Sequence, residues 1–333
     1  MVTTQVISLI RFFSMNFTVS VIIPAYNVET FIATAVQSAV IQPEVTEVIV
    51  VDDGSTDSTK IIVTELQQGN PKIKIFQHEG GKNKGRSATR NLGIAKAQSN
   101  YIAFLDADDY YVANRFTHDK KVFAKNLDCD GVYNAVGFHF YRDANANELK
   151  KLKLSTISKI LDPKDFFEAI VASKYGYLHL NGIVVKKTVF DVIGVLNESL
   201  VVAEDSEIIF KMALKCQMYP SVLDEPVAKR GIHDANIFTA EALYKIYNIK
   251  LYEELLYWSY RNAISVKNKD LLLKWLWFFK FRDGRSLLNH IGYWGRLGYK
   301  SPQFFLSSLG IKYFPIVRLR KNIFSFLYSN KTT

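Results

Sequence analysis

The sequence predicts an α/β fold built on a doubly wound, mostly parallel β-sheet flanked by helices and followed by a C-terminal, mainly helical region. Short β-branched runs alternate with segments of helical spacing over the first two thirds of the 333 residues. That alternation is typical of parallel sheets with crossover helices. Polar clusters follow several of the runs, which is where ligands bind in open α/β sheets. The last third changes in charge and tryptophan content, which predicts a separate region.

The predicted strands are short runs rich in valine, isoleucine and aromatic residues, whereas the predicted helices repeat apolar residues at helical spacing. The strands lie at residues 19–24, 47–51, 73–77, 101–105, 131–141 and 182–186. The helices lie at residues 29–41, 58–67, 87–98, 115–125, 163–172 and 205–215. A basic loop is predicted at Lys150 to Lys153. The order of these elements predicts one sheet with helices on both faces.

Charge and tryptophan divide the chain near residues 235–245. From residue 241 onward there are 16 Lys or Arg and 5 Asp or Glu, whereas the first 240 residues hold 26 basic and 27 acidic side chains. All four tryptophans also lie in the later segment: Trp258, Trp275, Trp277 and Trp294. We therefore predict a leader at residues 1–16, an α/β domain at residues 17–238 and a basic, aromatic, helical region at residues 239–333.

The leader and the cysteines carry little further information. An apolar patch at Val6 to Ile10 is interrupted by Arg11, which leaves it shorter than the ~20 apolar residues of a membrane span. A signal peptide would need a basic region and a small-residue cleavage site, and neither is clear. We interpret residues 1–16 as a loose extension or an upstream start.

The two cysteines, Cys129 and Cys216, indicate a reducing compartment without a disulfide framework.

Three carboxylates follow the predicted strand at residues 101–105: Asp106, Asp108 and Asp109. Like charges placed so closely repel one another unless a cation lies between them. Mg²⁺ and Mn²⁺ take oxygen ligands and commonly share them with a diphosphate. Aspartate is also a common helix cap, so an acidic turn that begins the next helix is an equally good interpretation of these residues alone.

Two further polar segments lie at predicted strand ends. Asp52 and Asp53 precede Gly54 and Ser55, and taken alone this pattern is more typical of a turn than of a nucleotide contact. A glycine- and lysine-rich loop at residues 80–86 precedes a helix that carries Arg90. Such a loop can offer backbone N–H groups and cations to a diphosphate, although its spacing matches no standard phosphate-binding motif and a solvated loop is the simpler interpretation.

Asp205 and His233 are single candidates. Asp205 stands beside Glu204 at the start of a predicted helix, where a carboxylate is stabilised in any case, and its alternative role is that of a general base. His233 follows a short run in Arg230-Gly231-Ile232-His233-Asp234. A lone histidine is more often structural than a metal ligand.

Taken together, these segments resemble the family 2 glycosyltransferases of the GT-A fold, as found in bacterial polysaccharide and lipid-linked glycan synthesis. The resemblance covers roughly Thr18 to Asn236, and its five parts stand in the family's order and spacing. They are Val21 to Asn27, Val50 to Asp57, Asn83 to Gly93, Phe104 to Asp109, and Glu204-Asp205. Thr89 departs from the pattern where alanine is commoner, and Lys82 and Lys84 add unusual charge, which leaves the donor open.

The resemblance implies a role for each candidate residue. It implies that Pro24, Tyr26 and Asp53 bind the nucleotide base, that Arg90 reaches the base or the phosphates, and that Asp205 is the catalytic base. Asp106 and Asp108 match the Asp-x-Asp pair that holds ribose and metal. Asp109 and His233 are implied as further contacts of the metal or the phosphates.

The resemblance also implies the chemistry. A divalent metal, Mn²⁺ or Mg²⁺, would stabilise the departing nucleoside diphosphate. Asp205 would deprotonate an acceptor hydroxyl, and attack opposite the leaving group would invert the anomeric centre. The expected substrates are a nucleotide sugar, most simply a UDP-sugar, and a glycan or lipid-linked acceptor.

Two other classes of protein fit part of the pattern. A glycosyltransferase-like domain could bind nucleotide sugars without transferring them, but the presence of Asp205 argues against it. A receiver-type signalling domain could use Asp52 and Asp53, but it would leave Asp106 to Asp109 and Glu204-Asp205 without a function.

The C-terminal region mixes lysine and arginine with aromatic residues, as in Leu271 to Lys280 and Phe314 to Leu327. Basic amphipathic helices of this kind lie on anionic bilayers, and no uncharged stretch is long enough to span one. We expect a cytoplasmic protein held on the inner face of the membrane by this region. Packing of the aromatics on a domain or a second subunit is the alternative. Basic and aromatic residues also bind nucleic acid, but the N-terminal motifs make a nucleic-acid partner unexpected.

Overall fold

The computed structural model describes residues 17–234, 241–282, 284 and 286–319. The predicted leader at residues 1–16 lies outside the described residues, as does the part of the basic aromatic segment beyond Leu319. The chain divides into two compact units, residues 1–241 (unit 1) and residues 242–333 (unit 2).

Unit 1 alternates strands and helices along much of its length. Its strands are β1 Val19–Ala25, β2 Val45–Asp52, β3 Ile73–Gln77, β4 Tyr101–Phe104, β5 Tyr110–Tyr111, β6 Gly131–Tyr133, β7 Val136–Phe140, β8 Leu154–Ser155, β9 Ile183–Lys186, β10 Met218–Pro220 and β11 Ala228–Ile232. Its helices are α1 Ile32–Val40, α2 Thr59–Gly69, α3 Arg86–Lys96, α4 Thr117–Lys125, α5 Ala146–Lys151, α6 Pro163–Val171, α7 Val189–Ile193 and α8 Glu204–Lys215.

Seven of these strands form one sheet in the order β10-β6-β9-β4-β1-β2-β3. Strands β4, β1, β2 and β3 run parallel to one another, and β10 runs parallel to β6. Only β9 within this sheet is antiparallel to its neighbours, β4 and β6. The prediction of a mostly parallel sheet flanked by helices is therefore confirmed.

Successive side chains of β1 point to opposite faces of the sheet, and helices pack on both faces. Val21 and Ile23 belong to a buried cluster that includes Ile32 and Val36 of α1. Ile22 points to the other face, where it meets α3 so closely that a Cβ on Gly93 would clash with its side chain. A strand that is buried on both faces favours apolar residues on each of them. Strand β1 supplies these except at Ser20, whose buried hydroxyl donates to Glu47 at 2.6 Å.

The prediction of one strand over residues 131–141 is wrong. The segment forms β6 and β7, which lie in different sheets, since β7 belongs to a second sheet of order β5-β11-β7-β8. Buried Asn134 lies at the switch: its Nδ2 donates to the Gly182 carbonyl at 2.9 Å and its Oδ1 accepts the Val222 N–H at 3.0 Å. The side-chain amide pairs backbone groups of neighbouring segments where the chain changes sheets, so these buried groups stay paired.

The predicted loop at Lys150 to Lys153 is partly wrong, because its first two residues end helix α5. Asn145 accepts the N–H groups of Asn147 and Glu148, and the Glu148 carboxylate accepts the Asn145 N–H. This reciprocal pair is a capping box, a signal present in the sequence as Asn-x-x-Glu.

Unit 2 is helical in its described part, which confirms that expectation. Its helices are α9 Glu241–Arg261, α10 Val266–Phe281, α11 Leu287–Lys300, α12 Pro302–Phe305, α13 Ser308–Tyr313 and α14 Pro315–Arg318. Several of its aromatic residues are buried, among them Trp258, Trp277 and Phe304. Among the described residues, no helix combines the length and apolar character needed to cross a bilayer.

Candidate functional site

The candidate site lies at the edge of the large sheet where β1, β2 and β4 end. The three strands are parallel and in register, with Ala25 opposite Asp52 and Ile22 opposite Phe104. Their carboxyl ends therefore meet at one edge, and the residues that follow them come together there. Tyr26, Asp53 and Asp106 are brought to this edge by the topology alone.

The acidic segment Asp106 to Asp109 forms a turn closed by the Asp109 N–H on the Asp106 carbonyl, at 3.0 Å. The residues after it form strand β5, and the next helix, α4, begins only at Thr117. The alternative of a helix cap is therefore wrong. The turn leaves three carboxylates at the sheet edge without a helix N-terminus to stabilise them.

Asp106 is paired with one cationic side chain, and a histidine ring lies near it. Arg90 Nη2 donates to its Oδ1 at 2.7 Å, and His179 Nε2 lies 3.9 Å from its Oδ2. Burial opposes ionisation, but the neighbouring guanidinium holds the pKa of Asp106 well below its usual value. These contacts favour the ionised form of Asp106 at the edge of the sheet.

Asp109 is in the opposite situation. It is buried, and burial together with the charges of Asp108 and Asp106 raises the pKa of Asp109 well above its usual value. The Gly231 N–H donates to its Oδ1 at 2.7 Å, and the Asn181 amide donates to its Oδ2. A cation between these carboxylates would offset the repulsion that the protein alone leaves in place.

Asp108 faces the second sheet. Its Oδ2 lies 2.9 Å from His233 Nε2, and the His233 ring stacks on Phe31 with centroids 4.8 Å apart. Gly231 of β11 is required for this approach, because a Cβ at that position would overlap the Asp108 carbonyl oxygen. The structure thus joins two residues, Asp108 and His233, that lie 125 positions apart in the sequence.

The ligand atoms of Asp106, Asp109 and His179 all lie within 4.8 Å of one another. The sequence-based prediction was instead that Asp106 and Asp108 hold the metal. No sequence pattern marks His179, which lies in an irregular segment before β9. His179 is buried, and burial lowers its pKa, which favours the neutral imidazole that binds metals. Carboxylate and imidazole donors together suit a divalent cation.

Arg90 links the acidic segment to helix α8. Its Nη1 donates to Glu204 at 3.0 Å while its Nη2 donates to Asp106, and its side chain is 3% exposed. Burial and neighbouring Asp205 raise the pKa of Glu204. Asp205 itself is half-buried at the start of α8, and its Oδ1 accepts the Ser206 N–H at 2.7 Å. The sequence did not indicate Glu204 as the partner that fixes Arg90.

Asp53 organises the glycine- and lysine-rich loop. Its two oxygens accept the N–H groups of Lys84 and Gly85 at 2.7 and 2.9 Å. Gly54 has a φ of 79°, and a Cβ there would lie 2.5 Å from the Gly81 carbonyl oxygen. A glycine is therefore needed for the loop to close over the end of β2, and any contact of Asp53 with a nucleotide would use its remaining lone pairs.

The remaining predicted contacts differ in exposure. Tyr26 is 48% exposed, so its ring can receive a planar ligand, and Pro24 is partly buried within β1. Asp52 is buried and accepts the Ser55 N–H and the Gln77 amide, as a turn-forming aspartate does.

A cavity of about 1280 Å³ lies at the opposite edge of the sheet, lined in part by Tyr101 and Lys186, and none of the predicted site residues lines it.

Comparison with known proteins finds one family whose model matches part of this chain. Residues 20–174 match the model of glycosyl transferase family 2. The chain is 31% identical over 145 residues to an uncharacterized glycosyltransferase of Haemophilus influenzae, and 40% identical over 97 residues to the succinoglycan biosynthesis protein ExoU of Rhizobium meliloti. These stretches cover 43% and 29% of this chain.

The chain spans about half the length, 54%, of the Haemophilus protein and 28% of the Rhizobium protein. Among solved structures, it is similar to S. aureus TarS 1–349 in complex with UDP-GlcNAc, with a TM-score of 0.58 and 18% identity, covering 92% of each chain. At this identity the likeness concerns the fold.

Proposed function

We propose that the chain transfers a sugar from a nucleoside diphosphate to a hydroxyl group of a glycan or lipid-linked acceptor, with inversion. The match of residues 20–174 to the model of glycosyl transferase family 2 supports this proposal. The observation that carries this proposal is the bridge from Asp106 through Arg90 to Glu204, which connects the acidic segment to the start of the helix bearing Asp205. Residues 17–238 would form the catalytic domain.

The nucleotide would bind at the carboxyl ends of β1 and β2. Tyr26 offers an exposed ring, Pro24 lies beside it in the chain, and Asp53 holds the loop whose lysines can offset phosphate charge. A UDP-sugar is supported by the fold likeness to TarS, whose structure holds UDP-GlcNAc. Synthesis of a polysaccharide is supported by the similarity to ExoU, named for succinoglycan biosynthesis.

A divalent cation, Mn²⁺ or Mg²⁺, fits the donor set. The ligand atoms of Asp106, Asp109 and His179 already lie close together. Asp108, which is paired with His233, lies in the same acidic turn. Such a cation supplies charge stabilisation to a departing diphosphate. The physical reason for expecting it is that three carboxyl groups, one of them the buried Asp109, lie together in one turn, where a cation would offset their mutual repulsion.

Asp205 would accept the proton of the acceptor hydroxyl. Its position is fixed by α8 and by the hydrogen bond from the Ser206 N–H, while Glu204 beside it is paired with Arg90 and is not available for that task. A base on the acceptor side and a leaving diphosphate on the other side of the sugar give inversion at the anomeric carbon.

The experiment for the donor is a thermal-shift screen of UDP- and GDP-sugars with the full chain, with and without Mn²⁺. A true donor raises the unfolding temperature because it binds the folded state alone, and about 2.7 kcal/mol is gained at a concentration 100 times the dissociation constant. We expect a UDP-sugar to give the largest shift, and only with Mn²⁺. No shift with any nucleotide sugar contradicts the proposal, and a GDP-sugar shift corrects its donor.

The C-terminal region at residues 239–333 would hold the protein on the inner, anionic face of the membrane. Leu306 and Ile311 are 89% and 69% exposed, and residues 301–310 carry no charge. Beside them, Trp294, Phe305 and Phe314 line a groove of about 530 Å³. From residue 271 onward the sequence holds 11 Lys or Arg and one acidic residue, Asp283. Exposed apolar side chains in a basic region are typical of a surface that enters the interface of an anionic bilayer.

Vesicle binding tests this location. We expect the chain to bind phosphatidylglycerol vesicles with a change in tryptophan fluorescence, which reports only unit 2 because all four tryptophans lie there. Leu306→Asp with Ile311→Asp should weaken binding by ~10-fold or more. The matched control is Ile246→Asp with Val266→Asp, which adds the same charge at other exposed positions of the unit. Equal binding by both double variants, or equal binding to neutral vesicles, contradicts the location.

A further inference from the structure

Asn181 contacts two members of the acidic turn at once. It lies in a short 3₁₀ turn, Leu180–Gly182, that leads into β9, and its side chain is fully buried. Its Oδ1 accepts the Asp106 N–H at 3.2 Å, and its Nδ2 donates to the Asp109 carboxylate. Among side chains of this length, only an amide can accept one of these hydrogen bonds and donate the other.

The backbone of Asn181 is held on both sides. Arg115 Nη2 donates to the Asn181 carbonyl at 3.1 Å, and the Arg115 guanidinium is itself paired with Asp119 at 2.7 Å, with both side chains fully buried. On the other side, Asn134 Nδ2 donates to the Gly182 carbonyl at 2.9 Å, which holds the next residue of the turn. The amide therefore has little freedom to follow the acidic turn if that turn relaxes.

This arrangement opposes the natural tendency of the acidic turn to open. Without a cation, ionisation of all three carboxyl groups, Asp106, Asp108 and Asp109, would push them apart. The Asn181 amide and the Gly231 N–H hold both oxygens of Asp109, while the same amide holds the backbone at Asp106. The spacing of the carboxylates is thus set by a neutral, buried group before any cation arrives, which lowers the free-energy cost of binding one.

We propose that Asn181 is a positioning residue that fixes the separation of the Asp106 and Asp109 carboxylates and thereby sets the affinity of the acidic turn for a divalent cation. The inference rests on the proposed function, because it assumes that the turn binds a metal. It adds a residue whose side chain acts through the Asp106 N–H and the Asp109 carboxylate.

The test measures Mn²⁺ binding to the full chain without nucleotide, from the electron paramagnetic resonance signal of the free ion. Loss of a group that orients metal ligands costs ~10- to 100-fold in affinity, and we expect a loss in this range for Asn181→Leu. The matched control is Asn91→Leu. Asn91 likewise accepts and donates, on the backbone of Leu196, but contacts none of the acidic turn. Its affinity should stay within about twofold of the wild-type value.

Asn181→Ser provides the comparison if the leucine variant does not fold, because its short hydroxyl can keep at most one of the two hydrogen bonds. We expect at least a ~3-fold loss for it, and nucleotide binding should return at saturating Mn²⁺, which a merely misfolded site would not allow. Wild-type affinity in a folded Asn181 variant overturns this inference alone. Absence of Mn²⁺ binding by the wild-type chain overturns the proposed metal site as well.

Discussion

Replacing Asp205 by asparagine is expected to lower the rate constant of sugar transfer by ~10²-fold or more, the lower range for loss of a general base. The neutral amide cannot take up the proton of the acceptor hydroxyl. Donor affinity should change by less than about threefold, because the resemblance places the donor on Tyr26, Asp53 and the acidic turn. The two effects are separable by measuring turnover and, in the absence of acceptor, nucleotide-sugar binding by calorimetry.

The surroundings of Asp205 make asparagine a conservative replacement. The amide oxygen can keep the hydrogen bond that the Ser206 N–H donates at 2.7 Å. Glu204 remains anchored by Arg90, so the start of α8 has no reason to move. The change removes a negative charge from a helix N-terminus, which costs ~0.3–1 kcal/mol of stability and cannot by itself reduce the rate by two orders of magnitude.

Asp162→Asn is the matched control, because Asp162 also sits at a helix N-terminus and accepts a backbone N–H, that of Lys164, at 3.1 Å. It should keep wild-type turnover. Unchanged turnover in Asp205→Asn would remove Asp205 from the mechanism. A parallel loss of turnover and donor affinity would instead place Asp205 in the nucleotide site.

The inner strands β1, β2 and β4 were predictable because most of their residues are buried, so each appears as a largely apolar run. The run at Ile73 to Gln77 was predicted with the bounds that the structure has, and Asp53 and Asp106 follow two such runs directly. Their convergence at one edge follows from the parallel topology. Position along the chain was therefore enough to bring the principal acidic candidates together.

The second sheet and the contacts across the site were not predictable in the same way. The switch at Asn134 depends on partners 48 and 88 positions away, which no local pattern encodes. His179 and Asn181 lie in the short segment that leads into β9. They reach the site because β9 pairs antiparallel with β4. A carboxylate motif can thus be predicted from the sequence. The neutral groups that hold it cannot, because only the tertiary structure brings them to the motif.

Replacing Arg90 by methionine is expected to destabilise unit 1 by ~3–5 kcal/mol, the range for removing one partner of a buried ion pair. The Arg90 and Glu204 side chains are 3% and 4% exposed, and Asp106 loses the same guanidinium. Methionine fills a similar volume, so the cost comes from two carboxylates that are left without their cation. Glu204 would be the more costly of the two, because burial and neighbouring Asp205 already raise its pKa.

Hydrogen exchange of peptides from α3, β4 and α8 is the suitable measurement, because tryptophan fluorescence reports only unit 2. Arg86→Met is the matched control: Arg86 also approaches Glu204, at 3.5 Å, but is 46% exposed, so its loss should cost less than ~1 kcal/mol. Adding Glu204→Gln to Arg90→Met should recover part of the loss, since it removes one stranded charge. Full stability together with weakened donor binding in Arg90→Met would instead mean that Arg90 serves the nucleotide, as the family resemblance implies, and that its two ion pairs add nothing to the fold.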